Sequence, residues 1–298
     1  MWFTEDGNPS TEKGMEPEAI APQAAVLPVP GLPSSCLVDE SAIYGKDDDK
    51  EKITKLLLSD DIESGNHPSV ITIVGMGGLG KTTLAQLVYN DKRMDDQFNL
   101  KAWVCVSEEF DVRRVTRTIL RAITSSNNDD TDDLNILQLK LKEILMEKKF
   151  LLVLDDVWNE NRSNWEVLQS PFNYGTTRSK ILVTTRSLKV GSIMHSAQIH
   201  HLKQLSEEHC WKLFVAHAFG KGDCNANPSL ELVGRKIVAK CKGMLLALKT
   251  LGDLLYAKLS PEEWESILTS DIWNMPNDDS NITPALILSY HYLPLHLK

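Results

Sequence analysis

Val70-Ile71-Thr72-Ile73-Val74-Gly75-Met76-Gly77-Gly78-Leu79-Gly80-Lys81-Thr82-Thr83 reads as a β-branched strand running into a complete G-x-x-x-x-G-K-[ST] phosphate loop. Glycine at 75, 77, 78 and 80 lets backbone N–H groups close around phosphate oxygens, which side chains would obstruct. Lys81 adds a point charge for the β- and γ-phosphates, and the Thr82 hydroxyl suits Mg²⁺. Leu79 and Thr83 complete the candidate nucleotide contacts. Leu84, Ala85, Gln86 and Leu87 favour a helix over 82–90, so phosphates would meet a helix N-terminus, where the macrodipole favours anions. The plain alternative is a glycine-rich turn. The coincidence of strand, glycine spacing, Lys-Thr pair and helix weighs against it.

A second motif follows downstream. Phe150-Leu151-Leu152-Val153-Leu154 runs into Asp155-Asp156, a buried strand ending in paired carboxylates. After a phosphate loop, the first aspartate is expected on the Mg²⁺ side, and Asp156 is the candidate base that positions an attacking water. Lys180-Ile181-Leu182-Val183-Thr184 makes a further strand ending at Thr185-Arg186, where Arg186 could sense a γ-phosphate. A surface ion pair is the competing reading of that arginine. Short strands alternating with helical stretches at about 112–124 and 134–145 predict a parallel, doubly wound α/β sheet of the P-loop NTPase type. Its ligand belongs at the carboxyl ends of the strands, where the phosphate loop, Asp155 and Arg186 all fall.

Around this centre the chain divides into three stretches. Residues 1–40 hold all six prolines found before residue 68 and almost no apolar period, so a disordered tail or linker is expected there. The nucleotide-binding domain is assigned to 41–202. It opens with a helix carrying Ile53, Leu56, Leu57 and Leu58 behind a solvated acidic first turn, and Gly65-Asn66-His67-Pro68 then breaks that helix. Helical patterns take over in 203–298, at 206–219, 229–242, 244–258, 261–269 and 283–291, and predict a small all-α domain. Ser206 and Ser260 are expected to cap two of those helices.

Composition narrows the partners. A net charge of -9 over 298 residues argues against broad attachment to nucleic acid. No run reaches the roughly 18 apolar residues of a membrane span, and no signal peptide is evident, so a cytoplasmic location is expected. Cys36, Cys105, Cys210, Cys224 and Cys241 form no C-x-x-C pair and read as reduced packing thiols. His195, His200 and His201 lack metal-ligand spacing.

Taken together, the motifs resemble the NB-ARC module of plant intracellular immune receptors, in the class with a coiled-coil N-terminus. The resemblance spans about 41–298. It rests on the phosphate loop, Phe98-Asn99-Leu100-Lys101-Ala102-Trp103-Val104-Cys105-Val106-Ser107, Leu151-Leu152-Val153-Leu154-Asp155-Asp156-Val157-Trp158, and Lys180-Ile181-Leu182-Val183-Thr184-Thr185-Arg186. It extends to the helix around Leu205-Ser206-Glu207-Glu208-His209-Cys210-Trp211-Lys212-Leu213-Phe214. The resemblance implies ADP or ATP with Mg²⁺ as cofactor, and adds Ile43, Tyr44 and Leu245 to the nucleotide contacts. It also implies a switch, closed with ADP and opened by ATP, that slow hydrolysis resets.

Three departures from the family pattern stand out. Gly243-Met244-Leu245-Leu246 carries leucine where the family has a proline near the base. Lys46 replaces an arginine, so a point charge stands in for a planar fork. The pattern stops at Lys298 without the winged-helix and leucine-rich-repeat parts, as in a receptor fragment, and such a module is expected to bind nucleotide yet switch weakly by itself. The alternative function is a non-switching interaction fragment that associates with other receptor chains. A small-molecule kinase would need phosphate-clamping arginines in the helical part, which holds only Arg235.

Overall fold

The computed structural model describes residues 34–40, 43–59, 68–106, 110–124, 131–220, 228–256, 258 and 260–274, with 284 and 287. Most of the 1–40 tail, the helix break at 65–67, Ser107, Cys224 and nearly all of the expected last helix at 283–291 lie outside the described residues. The described chain from Ser34 onward falls within one compact unit, Leu32–Lys298.

Five strands make one sheet: β1 (Ser69–Val74), β2 (Leu100–Cys105), β3 (Phe150–Asp155), β4 (Lys180–Thr185) and β5 (Gln198–His201). Their order is β2-β3-β4-β1-β5 and every pairing is parallel. β1, β3 and β4 are buried along their whole length, which is why they read as unbroken β-branched and leucine runs rather than alternating ones. Successive side chains point to opposite faces and feed two cores. Ile71, Ile73, Leu151, Val153 and Leu182 pack with Ile53 and Leu57 of α1 (Asp47–Leu58) and Leu84, Ala85 and Val88 of α2 (Lys81–Tyr89). Val70, Leu152, Leu154, Ile181 and Val183 face the other way. Their partners include Ile119 of α4 (Val112–Thr124), Leu137 and Leu141 of α5 (Leu134–Leu145) and Trp165 of α6 (Arg162–Gln169).

Three short helices have no counterpart in the sequence reading: α3 (Lys92–Gln97), α6, and α7 (Leu188–Ile193). At six to eight residues they show too few turns for a periodic signal. Each nonetheless starts at a capping side chain: Asp91, Asn161 and Ser187 accept from the backbone N–H of Arg93, Ser163 and Lys189.

Beyond β5 the described chain is helical, with α8 (Glu207–Ala218), α9 (Pro228–Lys240), α10 (Leu245–Leu255) and α11 (Pro261–Leu268) around one apolar cluster. Phe214 and Trp264 meet edge to face at its centre, 5.8 Å apart. Ser206 caps α8 by accepting from the His209 N–H. Ser260 does not cap α11: its hydroxyl donates to the Glu262 carboxylate instead, a partner close enough in sequence to compete with the backbone. Cys210 and Cys241 sit in this core, where burial pushes the Cys241 thiol up to about 12. Among the described residues no helix is long and apolar enough to cross a membrane.

Candidate nucleotide-binding site

β4 lies between β1 and β3, so the loop after β1, the carboxylates after β3 and the arginine after β4 emerge side by side at one sheet edge. They open into a cavity of about 310 Å³. Gly77, Gly78, Gly80, Lys81, Thr82 and Thr83 form one wall, Asp155, Asp156 and Arg186 the sheet edge, and Leu245 of α10 the facing wall. Gly78 and Gly80 have φ of +75° and +87°, conformations that an L side chain rarely adopts, so glycine here is a backbone requirement.

The polar groups are tied to one another. Asp155 is only 1 % exposed. Its Oδ1 accepts from the Thr82 hydroxyl at 3.0 Å and from the Thr184 hydroxyl at 2.6 Å. Lys81 is 7 % exposed and its Nζ donates to the Met76 carbonyl at 3.0 Å, folded against its own loop. Burial brings its ammonium down to about 8, the Arg186 charge acts in the same direction, and Asp156 and Asp155 push it back up. Asp156 takes a left-handed backbone, φ 56°, with its N–H donating to Thr184 Oγ1 at 2.9 Å. That conformation is costly for a residue with a Cβ, and Asp156 lines the cavity.

Among the described residues, Arg186 has no partner for the exposed strand-end ion pair considered for it. Its guanidinium stacks on Trp158, 4.4 Å from the ring centroid. Gly77 lies close to the same guanidinium: a Cβ there would come within 3.1 Å of Arg186 Cζ.

Not every candidate contact converges on the cavity. Leu79 is buried in the core beneath the loop, and Gly75, whose N–H donates to the Thr185 carbonyl at 3.3 Å, lines with it an adjoining cleft beside Leu188 and Leu202. Tyr44 packs against the helical cluster, and the Ile43 N–H donates to the Glu40 carbonyl. Lys46, at the start of α1, is buried at 2 % exposure, and burial lowers its ammonium. Its Cε lies 3.6 Å from where a Cβ on Gly80 would stand.

Four lining residues escaped the sequence reading: Ser34, Cys105, Leu246 and Lys249. Lys249 stands one helical turn after Leu245, a spacing that could have flagged it once Leu245 was named. Ser34 carried no such signal, because its hydroxyl reaches Asp155 Oδ2, at 2.6 Å, across 121 residues of sequence.

The helical part meets the loop directly. Helix α10 begins at Leu245 with no side-chain cap, and the Leu246 N–H donates to the Gly78 carbonyl at 3.2 Å. A first-turn N–H, which has no partner inside its own helix, is thus satisfied by the phosphate loop. The Leu246 and Leu245 side chains lie over Gly78 and Gly80, each 3.1 Å from an added Cβ.

A phosphate loop after one inner strand, a buried aspartate after another and a parallel sheet of this order define a P-loop NTPase fold. The comparisons agree. Residues 46–224 match the NB-ARC domain, and the chain belongs to that family. It is similar to a putative disease resistance RPP13-like protein 1 of Arabidopsis thaliana, 46% identical over 276 residues, covering 92% of this chain and 26% of the relative. It is likewise similar to the disease resistance protein RGA2 of Solanum bulbocastanum, 47% identical over 262 residues, covering 88% of this chain and 27% of that protein. The chain therefore spans about a quarter of the length of these relatives. Among solved structures, the ORC2 protein of Aeropyrum pernix (ADPNP-ADP complexes) superposes with a TM-score of 0.52 at 16% identity, over 76% of this chain and 68% of that one. Drosophila ORC bound to DNA gives 0.51 at 12% identity, over 78% and 64%. At such identities the likeness concerns the fold alone.

Proposed function

We propose that this chain is the ADP- or ATP-binding switch module of a plant immune receptor, with a nucleotide-binding domain at 41–202 and a helical domain at 203–298. Membership in the NB-ARC family and the disease-resistance names of its relatives support the role. The observation that carries the switch is the hydrogen bond from the Leu246 N–H to Gly78. It ties the first turn of the helical part to the loop that would hold the phosphates, so a change in the loop is felt by α10.

In this reading the loop N–H groups and Lys81 hold the α- to γ-phosphates. Thr82 and Asp155 present a hydroxyl and a carboxylate within 3.0 Å of each other, a hard-oxygen pair that fits Mg²⁺. The ion would neutralise phosphate charge. Lys81 must leave the Met76 carbonyl to reach a phosphate, a short swing about its long side chain. Arg186 stands over Gly77 to meet a γ-phosphate, and Asp156 orients water at the rim. Slow turnover is expected, because small GTPases without an arginine from a partner run on the order of 10⁻⁴ per second. A cytoplasmic location belongs to the same proposal.

Calorimetry with ADP and Lys81→Ala tests the assignment. Loss of at least about a hundredfold in affinity is expected, as for a charge-assisted contact removed from a desolvated site. An unchanged affinity would place the nucleotide elsewhere.

A further inference from the structure

Trp158 is a large aromatic left 39 % exposed at the sheet edge, so core packing does not account for its position. Its ring carries the Arg186 guanidinium at 4.4 Å, and Gly77 also lies against that guanidinium, where even a methyl group would crowd Cζ. The loops bearing the two residues are fastened on either side of the stack. Before it, the Val157 N–H donates to the Thr184 carbonyl at 2.9 Å. After it, Glu160 accepts from the Ser187 hydroxyl at 2.7 Å and pairs with Lys189 at 2.8 Å. An exposed ion pair of that kind adds little stability. Its effect is to hold the two loops in register.

We infer that Trp158 is a positioning residue that holds Arg186 over the phosphate loop and thereby sets the preference for a nucleoside triphosphate over a diphosphate. The inference rests on the reading of Arg186 as the γ-phosphate sensor. A free arginine at a strand end samples many rotamers, and that freedom must be given up when it meets a phosphate. Stacked on Trp158 and packed close to Gly77, it is ordered beforehand. A surface cation–π contact corresponds to about a two- to fivefold effect.

Affinities of the full 298-residue chain for ADP and for a non-hydrolysable ATP analogue test this in Trp158→Ala, Trp158→Phe, Arg186→Ala and the Trp158/Arg186 double variant. Trp158→Ala should lower the ATP-over-ADP preference about two- to fivefold. Trp158→Phe should restore most of it, and Trp158→Ala should add nothing in the Arg186→Ala background. If Arg186→Ala shifts the preference and Trp158→Ala does not, or if Trp158→Ala weakens both nucleotides equally, the positioning role is overturned. If Arg186→Ala itself leaves the preference unchanged, the sensor reading fails first and takes the inference with it.

A separate set of contacts carries a second inference. Residues 34–37 run along α2, with Gln86 Nε2 donating to the carbonyls of Ser35 and Leu37 and Asn90 Nδ2 donating to that of Cys36 at 2.7 Å. At the leading end the Ser34 hydroxyl donates to Asp155 Oδ2 and accepts from Trp103 Nε1 at 3.4 Å. We propose that this strap and Mg²⁺–nucleotide compete for Asp155, so that loading the site releases residues 34–37 from α2. Cys36 is a free, partly exposed thiol within the strap and reports its release. MgADP should speed alkylation of Cys36, mapped by mass spectrometry, and Ser34→Ala should speed it without nucleotide. An unchanged or slower rate with MgADP would mean that the strap stays in place, and would overturn the competition.

Discussion

The sheet side of the cavity is built from glycine and several charges, whereas the α10 side is built from two leucines and a single lysine, Lys249. On the first, Lys81, Asp155, Asp156 and Arg186 are fixed by strand ends and by bonds to Thr82, Thr184 and Met76. On the second, Leu245 and Leu246 give only van der Waals contact, and one backbone N–H supplies the directional bond. In the proposed reading, phosphate recognition belongs mainly to the sheet side, and coupling to the helical part belongs to α10.

After the Lys81→Ala test, Asp155→Asn should disturb the first side most. It keeps the shape but removes the charge that Thr82 and Thr184 serve, and the Mg²⁺-dependent part of ADP affinity should fall about ten- to a hundredfold. Binding measured in EDTA should barely change, and an equal loss in both conditions would reassign Asp155 to a purely structural role.

Gly80→Ala tests both sides at once. The left-handed backbone costs roughly 1–2 kcal/mol with a side chain, and the new methyl meets Leu245 Cδ2 at 3.1 Å. A five- to thirtyfold loss of nucleotide affinity is expected, and wild-type affinity would show that the loop rearranges on loading.

pH offers a graded probe of the charged side. With the ligand-free Lys81 ammonium brought down to about 8, it is charged at pH 7 and mostly neutral at pH 9. ADP affinity should fall roughly tenfold between them, with proton uptake on binding near pH 8. The sign reverses for the stability of the free protein. The unfolded chain keeps its proton up to about pH 10.4, so this group favours the folded state increasingly as pH rises through 8. A flat affinity from pH 7 to 9 would separate Lys81 from the phosphate contact.

The smallest effects belong to the helical side. Leu246→Pro removes the N–H that reaches Gly78 and should lower the melting temperature by about 2–4 °C. Leu245→Pro stands at the first helical position, where proline is pre-organised, and should match or slightly raise it. Equal losses from both would deny the Leu246 bond its role.

The same contrast explains what was legible in the sequence. Each element of the charged side is a strand end with its loop, so the phosphate loop, Leu151 to Asp156 and Lys180 to Arg186 are contiguous strings that announce their chemistry. The alternation that packs Ile71 and Leu152 on opposite faces was hidden, because strands buried on both sides carry no polar phase. Short α3, α6 and α7 escaped for want of turns, although their caps were readable. The partners of the site came from far away: Ser34 reaches Asp155 and accepts from Trp103 through folding alone, and the stacking of Arg186 on Trp158 shows only in the structure.

Hydrogen exchange at the amides of 245–250, with and without ADP, tests the division between recognition and coupling most directly. Exchange at Leu246 should slow when ADP binds to the wild-type chain and stay unchanged when ADP is added to Lys81→Ala. Tight ADP binding with no change of exchange at the start of α10 would contradict it.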